Sequence, residues 1–297
     1  MEIFSCKRKG EIIPFLILTV FINIALFFLI FNTNSYMVVS LLKVLFIVCD
    51  IYCFYNIFLW FTLKYGINDE LIIIDAIFGL KKIKINLKDI EGYTVRNGKI
   101  KGVNLSGVAT NKFALGRTVI KKIGMTRMFV TNNRNVIYLK TEDISFGLSP
   151  LEFDKFEKSL NCKGIHSMEW EAKFDKINTS KIHNNLKYKI PIIITSIITI
   201  ILILNPLILY VTQNLPDIMP IAFDAKFRPI TMGTSKEFAS SQMTYGALNM
   251  GLLFCMYYAS YFYAKYDRKA AHRYLYVPLA IGLLLLFIQI RMILITI

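Results

Sequence analysis

The sequence predicts an α+β membrane protein: five transmembrane helices, with a cytosolic β-barrel or sheet capped by one C-terminal helix inserted between the second and the third. Three observations predict it. Of 297 residues, 55% are hydrophobic and the mean hydropathy is +0.49, more apolar than water-soluble domains are. The apolar residues are clustered in five runs, 12 to 31, 44 to 63, 190 to 211, 245 to 264 and 276 to 296, each about the 20 residues that cross a hydrocarbon core. Between the second and third runs lies the longest stretch that can fold in water, a series of short alternating segments ending in one amphipathic run.

The first run follows Lys7, Arg8 and Lys9. It is too long for a signal peptide and lacks a small-residue cleavage site, so it reads as a retained anchor. The link to the second run, Asn32-Thr33-Asn34-Ser35, is uncharged. The positive-inside rule therefore puts the N-terminus in the cytoplasm. Two crossings return the chain there at Lys64, and the basic link from Lys265 to Arg273 is cytoplasmic in the same scheme. Five crossings leave the C-terminus external. Domain limits follow: two helices over residues 1–63, a cytosolic domain over 64–160, a polar linker over 161–189 with Trp170 as an interfacial anchor, and three helices over 190–297 with an external loop at 212–244.

In the cytosolic stretch, residues 70 to 78 and 81 to 87 read as strands about a turn at Gly79, and Ile90 to Val95 repeats the signal. Met125 to Thr131 and Asn135 to Thr141 flank Asn132, Asn133 and Arg134, which reads as a hairpin. A third short strand follows near 144 to 148. Next comes a helix start, with Ser149 as N-cap, Pro150 at the first helical position and Glu152 closing a capping box. Phe153, Phe156 and Leu160 share one helical face.

From Lys64 to Lys189 there are 23 basic and 13 acidic residues, an excess of ten positive charges. A basic domain beside a bilayer points to anionic headgroups, and no nucleic-acid motif accompanies it. Lys81, Lys82, Lys84, Arg117, Lys121, Lys122 and Arg127 are the candidate anionic-lipid patch. Membrane lipids are thus an expected partner and nucleic acid is not.

Leu115-Gly116-Arg117, Gly124, Phe129, Thr131-Asn132, the strand from Val136 to Thr141 and the junction from Ile144 to Leu160 together resemble a bacterial PH-domain family of Gram-positive membrane proteins. The resemblance runs from about Asn68 to Leu160. It implies a PH-like barrel or sheet and a scaffold or oligomerisation module, hence a homo-oligomer or a place in a membrane-protein complex.

A second resemblance lies in the loop after the third apolar run. Leu215-Pro216-Asp217, Pro220 and Phe223, followed by Gly233 and Lys236, are similar to the LPD-x-x-P signature of SdpI-type bacteriocin immunity proteins. Two departures stand out: Ala222 occupies the place of that family's histidine, and Phe227 that of a glycine. What the resemblance implies is an external recognition loop for an antimicrobial peptide.

Ionisable residues inside hydrocarbon are costly and therefore suspect. Asp50 and Arg291 sit at comparable depths in the second and fifth runs and are read as an intramembrane ion pair. Pro206 should free the carbonyl of Leu202 and kink the third helix. Asn23, Asn56, Asn205 and Asn249 are candidates for interhelical hydrogen bonds, and Ala247-x-x-x-Gly251 for a close helix approach.

His166, His183 and His272 are far apart, and Cys6, Cys49, Cys53, Cys162 and Cys255 are scattered without metal spacing. No nucleophile motif or phosphate-binding loop occurs. The expectation is a non-enzymatic protein without metal or cofactor, acting in envelope protection or envelope-stress signalling. The alternative is an oligomerising accessory subunit of a transport or assembly complex.

Overall fold

A computed structural model describes residues 2–6, 10–142, 144–171, 186–264 and 271–296. The flanking Lys7, Arg8 and Lys9, together with Lys181, His183 and residues 265–270, lie outside the described residues. The chain divides into two units, Met1–Ala25 with Phe46–Asp175, and Leu26–Leu45 with Lys176–Ile297.

The first unit holds β1 (Glu2–Ser5), the first part of α1 (Ile13–Asn32), the later part of α2 (Tyr36–Thr62), β2 (Lys64–Ile67), β3 (Leu71–Ala76) and β4 (Lys81–Asn86), while the end of α1 and the start of α2, with Tyr36, belong to the second. The four strands form one antiparallel sheet in the order β1-β2-β3-β4. Strand β1 has no counterpart in the sequence reading. It pairs with β2 in a register that sets Ser5 opposite Lys64, so the strand before the first helix and the strand after the second are sheet neighbours. A four-residue segment has too little pattern to announce itself.

A second sheet holds β5 (Ile90–Arg96), β6 (Gly102–Ala109), β7 (Ala114–Ile120), β8 (Gly124–Val130), β9 (Val136–Thr141) and β10 (Ser145–Leu148). Its order is β5-β9-β10-β8-β7-β6, which corrects the expected hairpin. Both strands of that hairpin form, but β10 lies between them, antiparallel to β9 and parallel to β8. The intervening Asn-rich segment is a turn, with Asn132 Oδ1 accepting from the Arg134 amide. It is also tied to the β5–β6 loop by Gly98 N to Asn133 O and Asn135 N to Asn97 Oδ1. Alternation fixes which face a residue takes, not which strand lies beside it.

Helix α3 (Phe153–Cys162) closes the main core, where Phe156 and Leu160 are fully buried with Phe4, Tyr65, Tyr93, Phe129 and Leu148. Tyr65 crosses between the sheets: its hydroxyl donates to Phe129 O and accepts from Ser149 N at 3.1 Å. The expected capping box does not form. Glu152 is the N-cap and makes no side-chain cap bond, while buried Ser149 uses its Oγ to accept the Thr131 amide at 2.9 Å. The outer face of the six-stranded sheet carries a smaller core of Ala114, Met128, Val130, Val136 and Tyr138. The first part of the stretch read as linker packs on this domain: Met168 N donates to Tyr93 O, and Trp170 Nε1 donates to Ile123 O at 3.3 Å. Trp170 is thus part of the domain rather than an interfacial anchor.

The second unit contains α4 (Leu186–Val211), a two-stranded sheet of β11 (Ile218–Phe223) and β12 (Pro229–Thr234), α5 (Ser235–Ala264) and α6 (Tyr276–Thr296). All five expected long helices are present. Four of the described helical stretches, Gly10–Asn32, Tyr36–Thr62, Leu186–Val211 and Ala271–Ile295, are long and apolar enough to cross a membrane. Helix α5 is not among them, so four of the five expected spans meet that measure. It is 30 residues long, but Tyr245, Asn249, Tyr257, Tyr258, Ser260 and Tyr261 dilute its apolar stretch. The close approach on this helix is made by Gly246, where a Cβ would fall 2.5 Å from Ile203 Cγ1; Gly251 has nothing within 4 Å.

Candidate functional site

The seven basic residues read as one lipid patch are divided by the fold. Lys81, Ile83 and Ile85 alternate toward the core side of β4, while Lys82 and Lys84 are exposed on its other side. Arg117 and Arg127 are direct cross-strand partners on β7 and β8, on the face that carries Leu115 and Phe129. Lys81 Nζ lies 5.3 Å from the Phe129 ring centre and the Arg127 guanidinium 5.5 Å from it. Lys81 also donates to the Tyr55 hydroxyl on α2 and lies 4.9 Å from that ring's centre. Lys81, Arg127 and Phe129 therefore converge at the sheet-proximal end of α2.

Lys121 and Lys122 stand elsewhere, at the β7–β8 turn. They line a cleft of about 500 Å³ with Arg96, Lys99 and Lys101. Lys122 is ion-paired to Glu171 at 3.3 Å, and Arg96 donates to Lys121 O at 3.2 Å. Tyr138 forms one wall, and burial lifts its phenol to about 12 against the smaller downward pull of Arg96.

In the second unit the residues expected in a recognition loop take two different roles. Leu215, Pro220 and Phe223 are buried, the first and last in a core with Met219, Phe238 and Met292. Pro216, Asp217 and Lys236 are exposed. Gly233 is closely approached by side chains: a Cβ there would fall 1.9 Å from Ile221 Cδ1 and 2.6 Å from Glu237 Oε2, so both chain ends would have to move. That carboxylate accepts the Thr234 amide at 2.9 Å, and Thr234 Oγ1 accepts the Glu237 amide at 3.3 Å. This reciprocal pair is a capping box that starts α5.

Phe227 has φ +64°, in the left-handed region where glycine is at ease and an aromatic residue is strained. Its ring stacks on Phe223 at 4.5 Å and meets Tyr36 edge-on at 4.5 Å. The Arg291 guanidinium lies 4.3 Å from the Phe227 ring centre and donates to the Tyr36 hydroxyl at 2.6 Å. Arg291 was expected to face a carboxylate. Beside it here are a hydroxyl and two rings.

The bundle also holds a buried polar seam. Asn249 Nδ2 donates to Thr199 Oγ1 at 3.0 Å, and Gln289 Nε2 donates to Leu202 O at 3.0 Å. Gln242 lies against Met292 Sδ at 3.4 Å. Asn249 meets the expectation of an interhelical bond, whereas Asn56 turns back to Tyr52 O on its own helix. Gln289, Tyr36 and strand β1 escaped sequence reasoning. The one available signal was a glutamine inside an apolar run, opposite a helix whose Pro206 leaves a carbonyl without a donor.

Residues 63–164 match the family model described as a bacterial PH domain. Together with the apolar helices, this defines the class: a bacterial PH-domain protein compatible with a membrane location. The chain is 36% identical over 256 residues to an uncharacterized protein of Clostridium acetobutylicum, covering 86% of each chain, and belongs to the same family. No solved structure matches it.

Proposed function

We propose that this is a non-enzymatic, multi-pass protein of the bacterial cytoplasmic membrane that confers immunity to a membrane-active peptide, or senses one, through the β11–β12 hairpin, and carries the response to the PH domain. The observation that carries this reading is the two-sided character of the hairpin. Leu215, Met219 and Phe223 root it in the bundle, while Ile218, Ile230 and Met232 stand exposed. A two-stranded sheet is marginal by itself, so its packing on the bundle keeps an open strand edge available. An extended peptide can add to such an edge. The Leu-Pro-Asp signature similar to that of SdpI-type immunity proteins supports the same assignment.

In this reading the N-terminus and the PH domain are cytoplasmic, since β1 and β2 are paired across the start of α1 and the end of α2, and the basic excess obeys the positive-inside rule. With α5 also crossing, the hairpin and the C-terminus are external. Deleting the gene should sensitise cells to an antimicrobial peptide, and a chain with Ile230→Glu and Met232→Glu should fail to restore protection at normal abundance. Unchanged sensitivity across a broad peptide panel overturns the reading.

The second reading, an oligomerising subunit of a membrane assembly, is favoured by one observation. Strand β6 is a sheet edge, and Val103 on it is exposed. A lone monomer in mild detergent would exclude it.

A further inference from the structure

We propose that the β3–β4 turn, Ile77-Phe78-Gly79-Leu80, is a membrane-inserting wedge, and that Lys81 and Arg127 beside it hold the phosphate of an anionic phospholipid in the leaflet where α2 ends. The inference rests on α2 being embedded in a bilayer and is independent of any peptide recognised by the hairpin.

Four observations converge. Phe78 and Leu80 are 82% and 87% exposed, more than any other large apolar side chain among the described residues. A soluble domain rarely presents two such residues on one turn without a partner for them. The turn also lies against α2: the Ile77 amide donates to Thr62 Oγ1 at 2.6 Å, and the Phe78 ring is 6.3 Å from that of Phe58, one turn earlier on the helix. The last turns of α2 leave Phe54, Phe58 and Phe61 exposed, so the wedge continues a surface already suited to hydrocarbon.

The backbone supplies the third observation. Ile77 and Phe78 have φ of +55° and +52°, a conformation that a β-branched residue rarely adopts. Strain of this kind persists where neighbouring structure imposes it, and it clusters at functional segments. Here it turns Phe78 and Leu80 outward, and the Thr62 bond anchors it. The fourth is charge. Lys81 and Arg127 flank the Phe129 ring, and Lys81 reaches the Tyr55 hydroxyl on α2. A lysine and a tyrosine meeting at the end of an apolar helix suit the headgroup layer. Apolar residues that enter beside cations that remain at the phosphates form the two-part signal of interfacial anchoring.

The test uses the full-length chain with Cys49, Cys162 and Cys255 replaced by serine and a nitroxide on Leu80→Cys, in vesicles of phosphatidylglycerol or phosphatidylcholine. A label on Lys88→Cys, an exposed position on the 3-10 turn after β4, reports water. In phosphatidylglycerol the Leu80 label should sit about 5–10 Å below the phosphates, open to oxygen and shielded from a water-soluble nickel chelate. Lys81→Ala with Arg127→Ala should weaken the preference for phosphatidylglycerol by about fivefold for each cation removed, and Lys81→Arg should retain it. Inorganic phosphate at matched ionic strength should leave the depth unchanged. A Leu80 label as open to nickel as the Lys88 label in both lipids overturns the wedge. A label lifted out by inorganic phosphate overturns the lipid as the occupant.

Discussion

The side-chain amide of Gln289 on α6 donates to the carbonyl of Leu202 on α4 at 3.0 Å. This is the carbonyl that Pro206, four residues on and lacking an N–H, leaves without its helical donor. A proline and a glutamine 83 positions apart in the chain are thus two halves of one hydrogen-bond account. In hydrocarbon every such account has to close.

Gln289→Leu should lower stability by about 0.5–2 kcal/mol, the range for a buried interhelical bond or an orphaned carbonyl. Pro206→Ala restores the helical donor, so the double variant should recover most of the loss. Thermal midpoints in detergent for the four proteins of the cycle read the coupling directly. Additive losses would show that the two residues act independently.

Tyr65→Phe should cost about 1–3 kcal/mol, because Phe129 O and Ser149 N lose a buried partner. The effect has a pH signature. Burial, and secondarily Cys6, lifts the Tyr65 phenol well above its ordinary 10.0. The folded domain therefore keeps a proton that the unfolded chain releases. That stability is fully present below the unfolded value and is lost as pH rises from there through the folded one. Denaturant titrations of the full chain from pH 8 upward, about two units past the phenol's ordinary value, should show the alkaline fall in the wild type, and a shallower one in the variant.

Ser149→Ala and Glu152→Ala separate the observed junction from a capping box. Loss of the Ser149 hydroxyl removes its buried hydrogen bond with the Thr131 amide, at about 1–3 kcal/mol. Glu152 contributes only an exposed pair with Lys155, so its removal should stay within about 0.5 kcal/mol. Equal losses would restore the capping box.

Arg291→Ala removes the cation from between Tyr36 and Phe227 and should loosen the β11–β12 hairpin, at about 0.5–2 kcal/mol. Hydrogen exchange across residues 218–234 should quicken accordingly. Arg291→Lys should recover only part of it, since an ammonium lacks the planar face of a guanidinium. If a carboxylate were the partner instead, Asp50→Asn would reproduce the Arg291→Ala effect.

Much of the candidate site was legible residue by residue and illegible as an arrangement. The basic residues were identified, yet Lys81 belongs with Tyr55 and Arg127 while Lys122 pairs with Glu171; net charge carries no coordinates. The hairpin residues were identified too, and the fold divides them between a buried root and an exposed surface. Phe227 was noticed only as a departure from glycine, and its positive φ shows what that departure costs in backbone strain.

By itself the sequence determined the apolar helices, the strands within residues 70–95 and 125–148, the amphipathic helix that follows and the carbonyl freed by Pro206. Each of these is written in local periodicity, length or a single residue's chemistry, which neighbouring positions suffice to express. Only the tertiary structure decided that β10 separates β8 from β9, that Glu2–Ser5 completes a sheet begun after α2, and that Gln289 answers Leu202. Those pairings join positions remote in the chain. They are selected by which surfaces and hydrogen-bonding groups are left open once the local elements have formed, information that no local stretch of sequence contains.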